Sequence, residues 1–129
     1  MPHLSIDYSP TLETRVDLGG LCRALHDVLT ASGLFPVAGI RIRAHKADHA
    51  IVADGHPDND FLAMTLAVGA GRTEAQLKGA GDALFAAARA NLADPLASPH
   101  FALSLEIRVI DPALSWKDTP IHARLSGAS

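Results

Sequence analysis

At 129 residues the chain is long enough for one domain, or a tightly fused pair of small units, with a real core. Its formal net charge of −3 excludes the basic footprint of a nucleic-acid binder, and any anion site must be built from specific arginines against that background. The single cysteine, Cys22, excludes an intramolecular disulfide framework and a Cys-rich zinc module. Hydrophobic residues make up 48% but aromatics only 5%, so packing must rest on Ala, Leu, Ile and Val. No basic stretch leads into an apolar one at the start, and no apolar run reaches the roughly 18 to 20 residues of a membrane span. The expectation is a soluble cytoplasmic protein that binds neither nucleic acid nor membrane.

Residues 2–8 alternate, with His3, Ser5 and Asp7 on one face and Leu4, Ile6 and Tyr8 on the other, which predicts a half-buried strand. Pro2 opens it directly behind Met1. Aminopeptidases remove Met before a small residue, and the chain would then begin with a secondary amine held on a rigid element. Such an amine, kept neutral near pH 7, is a candidate general base or nucleophile. Ser9-Pro10 breaks the strand, Asp17 is placed to N-cap a helix, and Leu18, Leu21, Cys22, Leu25, Val28 and Leu29 follow at helical spacing. Gly33 ends that helix and Pro36 prevents its resumption. Ile40–Ala44 alternates as a second strand, and 50–53 (Ala-Ile-Val-Ala) predicts a short return strand before the turn at 54–57.

The pattern then repeats. Phe61–Val68 reads as a strand, Gly69-Ala70-Gly71 as a bend, and Arg72 leads into a helix whose start carries a Thr73–Gln76 capping box. Leu77, Gly81, Leu84, Ala88 and Leu92 mark its inner face, and Pro95 and Pro99 close the segment. Phe101–Val109 is the last long alternation, and residues 111–129 read as an irregular tail. The chain is thus α/β in class, an α+β two-layer sandwich over residues 1–129. It fuses two β-α-β units, 2–57 and 58–129, the second carrying the tail. Each crossover makes its strands parallel, giving a four-stranded mixed sheet with two helices on one face. The other face is left bare, which predicts a closed cyclic assembly.

Arg41 and Arg43 alternate on one face of the second strand, about 6 to 7 Å apart, and read either as solvated cations or as anion ligands. Arg72 stands at a helix N-terminus, where a cation opposes the dipole, a placement that fits anion binding better than stability. His45 and His49 with Asp48 imitate a metal pair but fall after a strand, so a solvated loop is expected, and His26, His56, His100 and His122 look isolated. Ser104 and Ser115 lack a nucleophile elbow, and Gly69-Ala70-Gly71-Arg72 lacks the Lys-Ser/Thr of a P-loop. No metal or cofactor site is expected.

Met1-Pro2-His3, Gly33-Leu34-Phe35-Pro36, Ala38-Gly39-Ile40-Arg41, Ala53-Asp54-Gly55, Met64-Thr65-Leu66 and Gly69-Ala70-Gly71-Arg72 run in order along the chain. Ala102-Leu103-Ser104, Glu106-Ile107 and His122-Ala123 extend the series. Together they resemble the tautomerase superfamily, and within it the 5-carboxymethyl-2-hydroxymuconate isomerases. The resemblance implies a cofactor-independent isomerase, a homotrimer, and an anionic unsaturated keto or enol acid as substrate. It implies Pro2 as the acid/base, Arg72 holding a carboxylate, and Arg41 binding or polarising the 2-oxo end. Arg43, pointing the same way as Arg41, is by strand alternation either the true ligand or a cation behind it. The pathway implied is homoprotocatechuate/4-hydroxyphenylacetate catabolism. Two alternatives stay open at this point: a tautomerase acting on another 2-hydroxymuconate or a phenylpyruvate-like enol, and an inactive trimeric scaffold.

Overall fold

A computed structural model describes residues 2–126. Strand β1 (His3–Tyr8) is followed by helix α1 (Leu18–Ala31) and β2 (Arg41–Lys46), then β3 (Asp60–Gly69), helix α2 (Glu74–Asn91), a short turn of helix α3 (Ala93–Leu96) and β4 (Phe101–Ile110). The sheet order is β2-β1-β3-β4, with β1 parallel to β2, β3 parallel to β4, and β1 antiparallel to β3 at the centre. Two crossover helices and four strands therefore form the mixed two-layer arrangement that the alternations predict. No described helix is long and apolar enough to cross a membrane.

Local chemistry explains the helix ends. Asp17 accepts a hydrogen bond from Gly20 N at 3.0 Å, and Gly33 leaves α1 at φ +69°, where a side chain would strain the backbone. Thr73 and Gln76 exchange bonds at the start of α2, Gln76 N to Thr73 Oγ1 at 3.1 Å and Thr73 N to Gln76 Oε1 at 2.9 Å. Leu21, Leu25 and Leu29 of α1 and Ala80, Leu84 and Ala88 of α2 face the fully buried Leu4, Ile6, Leu62 and Leu66 of the sheet. The opposite sheet face carries His3, Ser5, Asp7, Arg41, Arg43, Thr65, Ser104 and Glu106 and is partly or wholly exposed.

Two expectations are corrected. The predicted return strand at 50–53 is absent: Ala53 has φ 54°, Ile51 is 92% exposed, and the loop bonds to itself through Asn59 Nδ2, which donates to Val52 O and Asp54 Oδ1. An apolar run with no strand beside it had nothing to pair with. The tail is also more regular than expected, with a 3-10 turn at Pro112–Leu114 and helix α4 (Pro120–Leu125), which packs against the 3-10 turn Val37–Gly39. Pro120 sits at the first turn of α4, where its missing N–H costs nothing, and His122 and Arg124 suit the C-terminal end. The tail residues 127–129 lie outside the described residues.

Candidate active site

Sheet topology gathers the candidate residues on one rim. Because β1 and β2 are parallel and β3 and β4 run the other way, the starts of the first two strands meet the ends of the last two. Pro2 lies on this rim, buried, and its carbonyl accepts a hydrogen bond from Arg41 N at 3.1 Å. Extending the register one step beyond His3–Arg41 and His3–Ala67 sets Pro2 beside Ile40 and Val68, which are 9% and 0% exposed.

Arg72 reaches the same rim from the helix layer. Gly71, at φ +117°, permits the bend that carries the chain from β3 into α2. The Arg72 guanidinium donates from Nε to Leu34 O at 3.0 Å and from Nη1 to Gly69 O at 3.3 Å, and lies 4.5 Å from the centre of the Phe35 ring. A guanidinium has five N–H donors. These two bonds fix its plane and leave the Nη2 edge for an anion.

Arg41 stands on the bare sheet face, level with His3, and Arg43 lies one step further along, level with Ser5. Both are exposed and neither has a carboxylate partner among the described residues. The His3 Nε2 is buried without a hydrogen-bond partner among the described residues. Burial first, then Arg41 and Arg43, and also Lys117, hold His3 below its ordinary pKa of 6.5, so it favours the neutral form. His3 therefore shares a face with Arg41 and Arg43, opposite to the face of the Pro2 ring, as strand alternation predicts.

Two clefts open on this rim. One, of about 200 Å³, is lined by Pro36, Ala38, Gly39, Arg41, Lys117, Thr119 and His122. The other, of about 290 Å³, is lined by Gly69, Ala70, Ile110, Pro112, Ser115 and Lys117. Arg41 is thus brought into a cleft, whereas Arg43 lines neither and contributes at most its field. Pro2 and Arg72 line neither cleft directly; Pro2 is joined to the first through Arg41, and Arg72 to the second through Gly69. Lys117 was missed from sequence, and His122, read there as isolated, lines the first cleft. A lysine in an irregular tail carries no periodic signal, and only the docking of α4 on Val37–Gly39 brings it here.

The remaining histidines divide. His45 ends on β2 and His49 in the loop beyond it, both exposed and not on a helix. His56 and His100 are not isolated as expected: their rings stack at 4.3 Å, and His100 Nδ1 lies 2.8 Å from Asn59 Oδ1. With Asp58 they bring three ligand-type atoms within 4.8 Å. Asp58 N–H already occupies His56 Nδ1, and Arg15 lines the same cleft as Asp58 and His100.

The family model for 5-carboxymethyl-2-hydroxymuconate isomerase matches residues 2–125. A 5-carboxymethyl-2-hydroxymuconate Delta-isomerase of Escherichia coli is 38% identical over 123 residues, which is 95% of this chain and 98% of the relative. The crystal structure of a 5-carboxymethyl-2-hydroxymuconate isomerase from Deinococcus radiodurans R1 is 40% identical, covers 95% of this chain and 92% of its own, and superposes with a TM-score of 0.88. A fused 4-OT wild type symmetric trimer shares the fold at TM-score 0.63 and 14% identity, over 90% of this chain and 93% of its own. With its tautomerase fold and a match spanning nearly every described residue, the chain belongs to the 5-carboxymethyl-2-hydroxymuconate isomerase family and is an isomerase.

Proposed function

We propose that the chain isomerises 5-carboxymethyl-2-hydroxymuconate to the 2-oxo-3-ene triacid, with Pro2 as the acid/base after removal of Met1. The reaction moves the enol proton from the 2-oxygen to carbon 5 while the two double bonds shift by one position. One group that takes the first proton and returns it on the same face of the substrate is sufficient. No electrons leave the substrate, so the step calls for no redox partner. A free prolyl nitrogen fits, because its apolar flank of Ile40 and Val68 and its cationic neighbours both favour the neutral base.

Arg41 and Arg72 divide the binding. Arg41, whose backbone bonds to Pro2 and which lines the first cleft, is assigned the 2-oxo end, where negative charge would develop. Arg72, its plane fixed by Leu34 O and Gly69 O, presents an edge suited to a carboxylate. The bare sheet face and the trimeric neighbour support a homotrimer with one such centre per chain, since Asp60 at the start of the second unit is internal and has no free amine. The substrate places the enzyme after ring cleavage in homoprotocatechuate/4-hydroxyphenylacetate catabolism, in the cytoplasm.

The observation that carries this reading is the Pro2–Arg41 backbone bond on the same rim as Arg72, in a chain of this family. Intact mass followed by an ultraviolet assay on an enol panel tests it. The expectation is a chain lacking Met1 that turns over the triacid faster than 2-hydroxymuconate or phenylpyruvate. A retained Met1 in fully active protein, or no turnover of any enol, overturns it.

A further inference from the structure

We propose that Lys117 recognises the third carboxylate of the substrate, the carboxymethyl arm, and so selects triacids over diacids. This rests on the function proposed above and adds a specificity residue to it. Lys117 is common to both clefts of the rim. The first cleft flanks β2 and the second flanks the ends of β3 and β4, while β1 lies between β2 and β3. Lys117, lining both, lies between the two clefts on the rim that also holds Pro2. Lys117 also contributes to the field that depresses His3, the next residue along β1.

The second cleft narrows the assignment. Apart from Lys117 its lining is Gly69, Ala70, Ile110, Pro112 and Ser115, none of them charged. An anionic arm entering there meets Lys117 as the cation of that lining. Its ammonium has no carboxylate within ion-pair distance among the described residues, and its side chain is exposed, so its charge is available. The segment bearing it is tied at both ends. On one side Asp111 accepts from Ala113 N at 2.9 Å, and on the other α4 packs on the Val37–Gly39 turn. The backbone is positioned and the long stem supplies reach. Arg72 then meets one carboxylate and Lys117 the carboxymethyl arm, while Arg41 takes the 2-oxo end.

The test compares K117A, K117Q and K117R with the unaltered protein on 5-carboxymethyl-2-hydroxymuconate and on 2-hydroxymuconate, which lacks the arm. Removing the charge should lower kcat/KM on the triacid about tenfold, mainly through KM, and change the diacid by less than about threefold. K117R should restore most of the preference. Equal losses on both substrates, or no loss, overturn the assignment. Calorimetric titration with a saturated tricarboxylate and with the matching dicarboxylate reads the same preference without turnover. If the unaltered protein turns over neither enol, the proposed function fails. Lys117 still stands or falls on whether K117A abolishes the tricarboxylate preference.

Discussion

At the rim where β3 begins, Asp60 is 1% exposed and accepts hydrogen bonds from Ser9 Oγ at 2.5 Å, Thr11 Oγ1 at 2.6 Å and Arg15 Nη2. Lys46 pairs with Glu13 at 2.9 Å close by, and His100 stacks on His56. At the opposite rim, Arg41, Arg43 and Lys117 have no carboxylate partner among the described residues, although the chain as a whole carries −3. One end of the sheet satisfies its charges internally and is thereby held together. The other pairs Arg108 with Glu106 yet leaves Arg41, Arg43 and Lys117 unneutralised, which costs self-repulsion in the folded state and would favour an arriving anion.

The contrast is broken most sharply at the open rim. Pro2→Ala should lower kcat by about 10² to 10⁴, the range of a lost general acid/base, in steady-state assays on the triacid enol. Arg72→Ala should lower kcat/KM by about 10- to 100-fold, as expected for loss of a charge-assisted contact. Arg43→Ala, lining neither cleft, should change it by less than about threefold.

The closed rim should respond in stability instead. Asp60→Ala strands the Ser9 and Thr11 hydroxyls and should destabilise the fold by about 2 to 3 kcal/mol in urea titrations, with turnover per folded molecule unchanged. A subtler effect should appear at His3. Its folded pKa lies below 6.5, so between that lowered value and 6.5 the unfolded chain holds more protons than the folded one. Stability should therefore be full above about pH 6.5 and decline as pH falls through that window. His3→Gln should flatten this acid limb in thermal melts from pH 7 to 5, and an unchanged slope would assign it to other groups.

Most of the scaffold was legible because its signals are local. The alternation of His3–Tyr8, the Asp17 cap, the positive-φ Gly33 and the Thr73–Gln76 box each specify their own few residues. The run at 50–53 misled for the same reason: alternation and apolarity describe a strand only when a neighbour exists to complete it. Of the candidate site, Pro2, Arg41 and Arg72 stood out by position in the repeat and by resemblance. Lys117 did not, because its place depends on where a non-periodic tail is docked by tertiary contact.

The anchoring of Arg72 has a thermodynamic consequence. With Nε and Nη1 bound to Leu34 O and Gly69 O and the plane lying on Phe35, its rotamer freedom is surrendered when the chain folds. In the role proposed for it, an incoming carboxylate would meet a receptor that needs no further immobilisation, and more of the contact enthalpy would survive as affinity. Lysine at this position would keep the charge yet lose both tethers, so each encounter would have to freeze a flexible stem afresh.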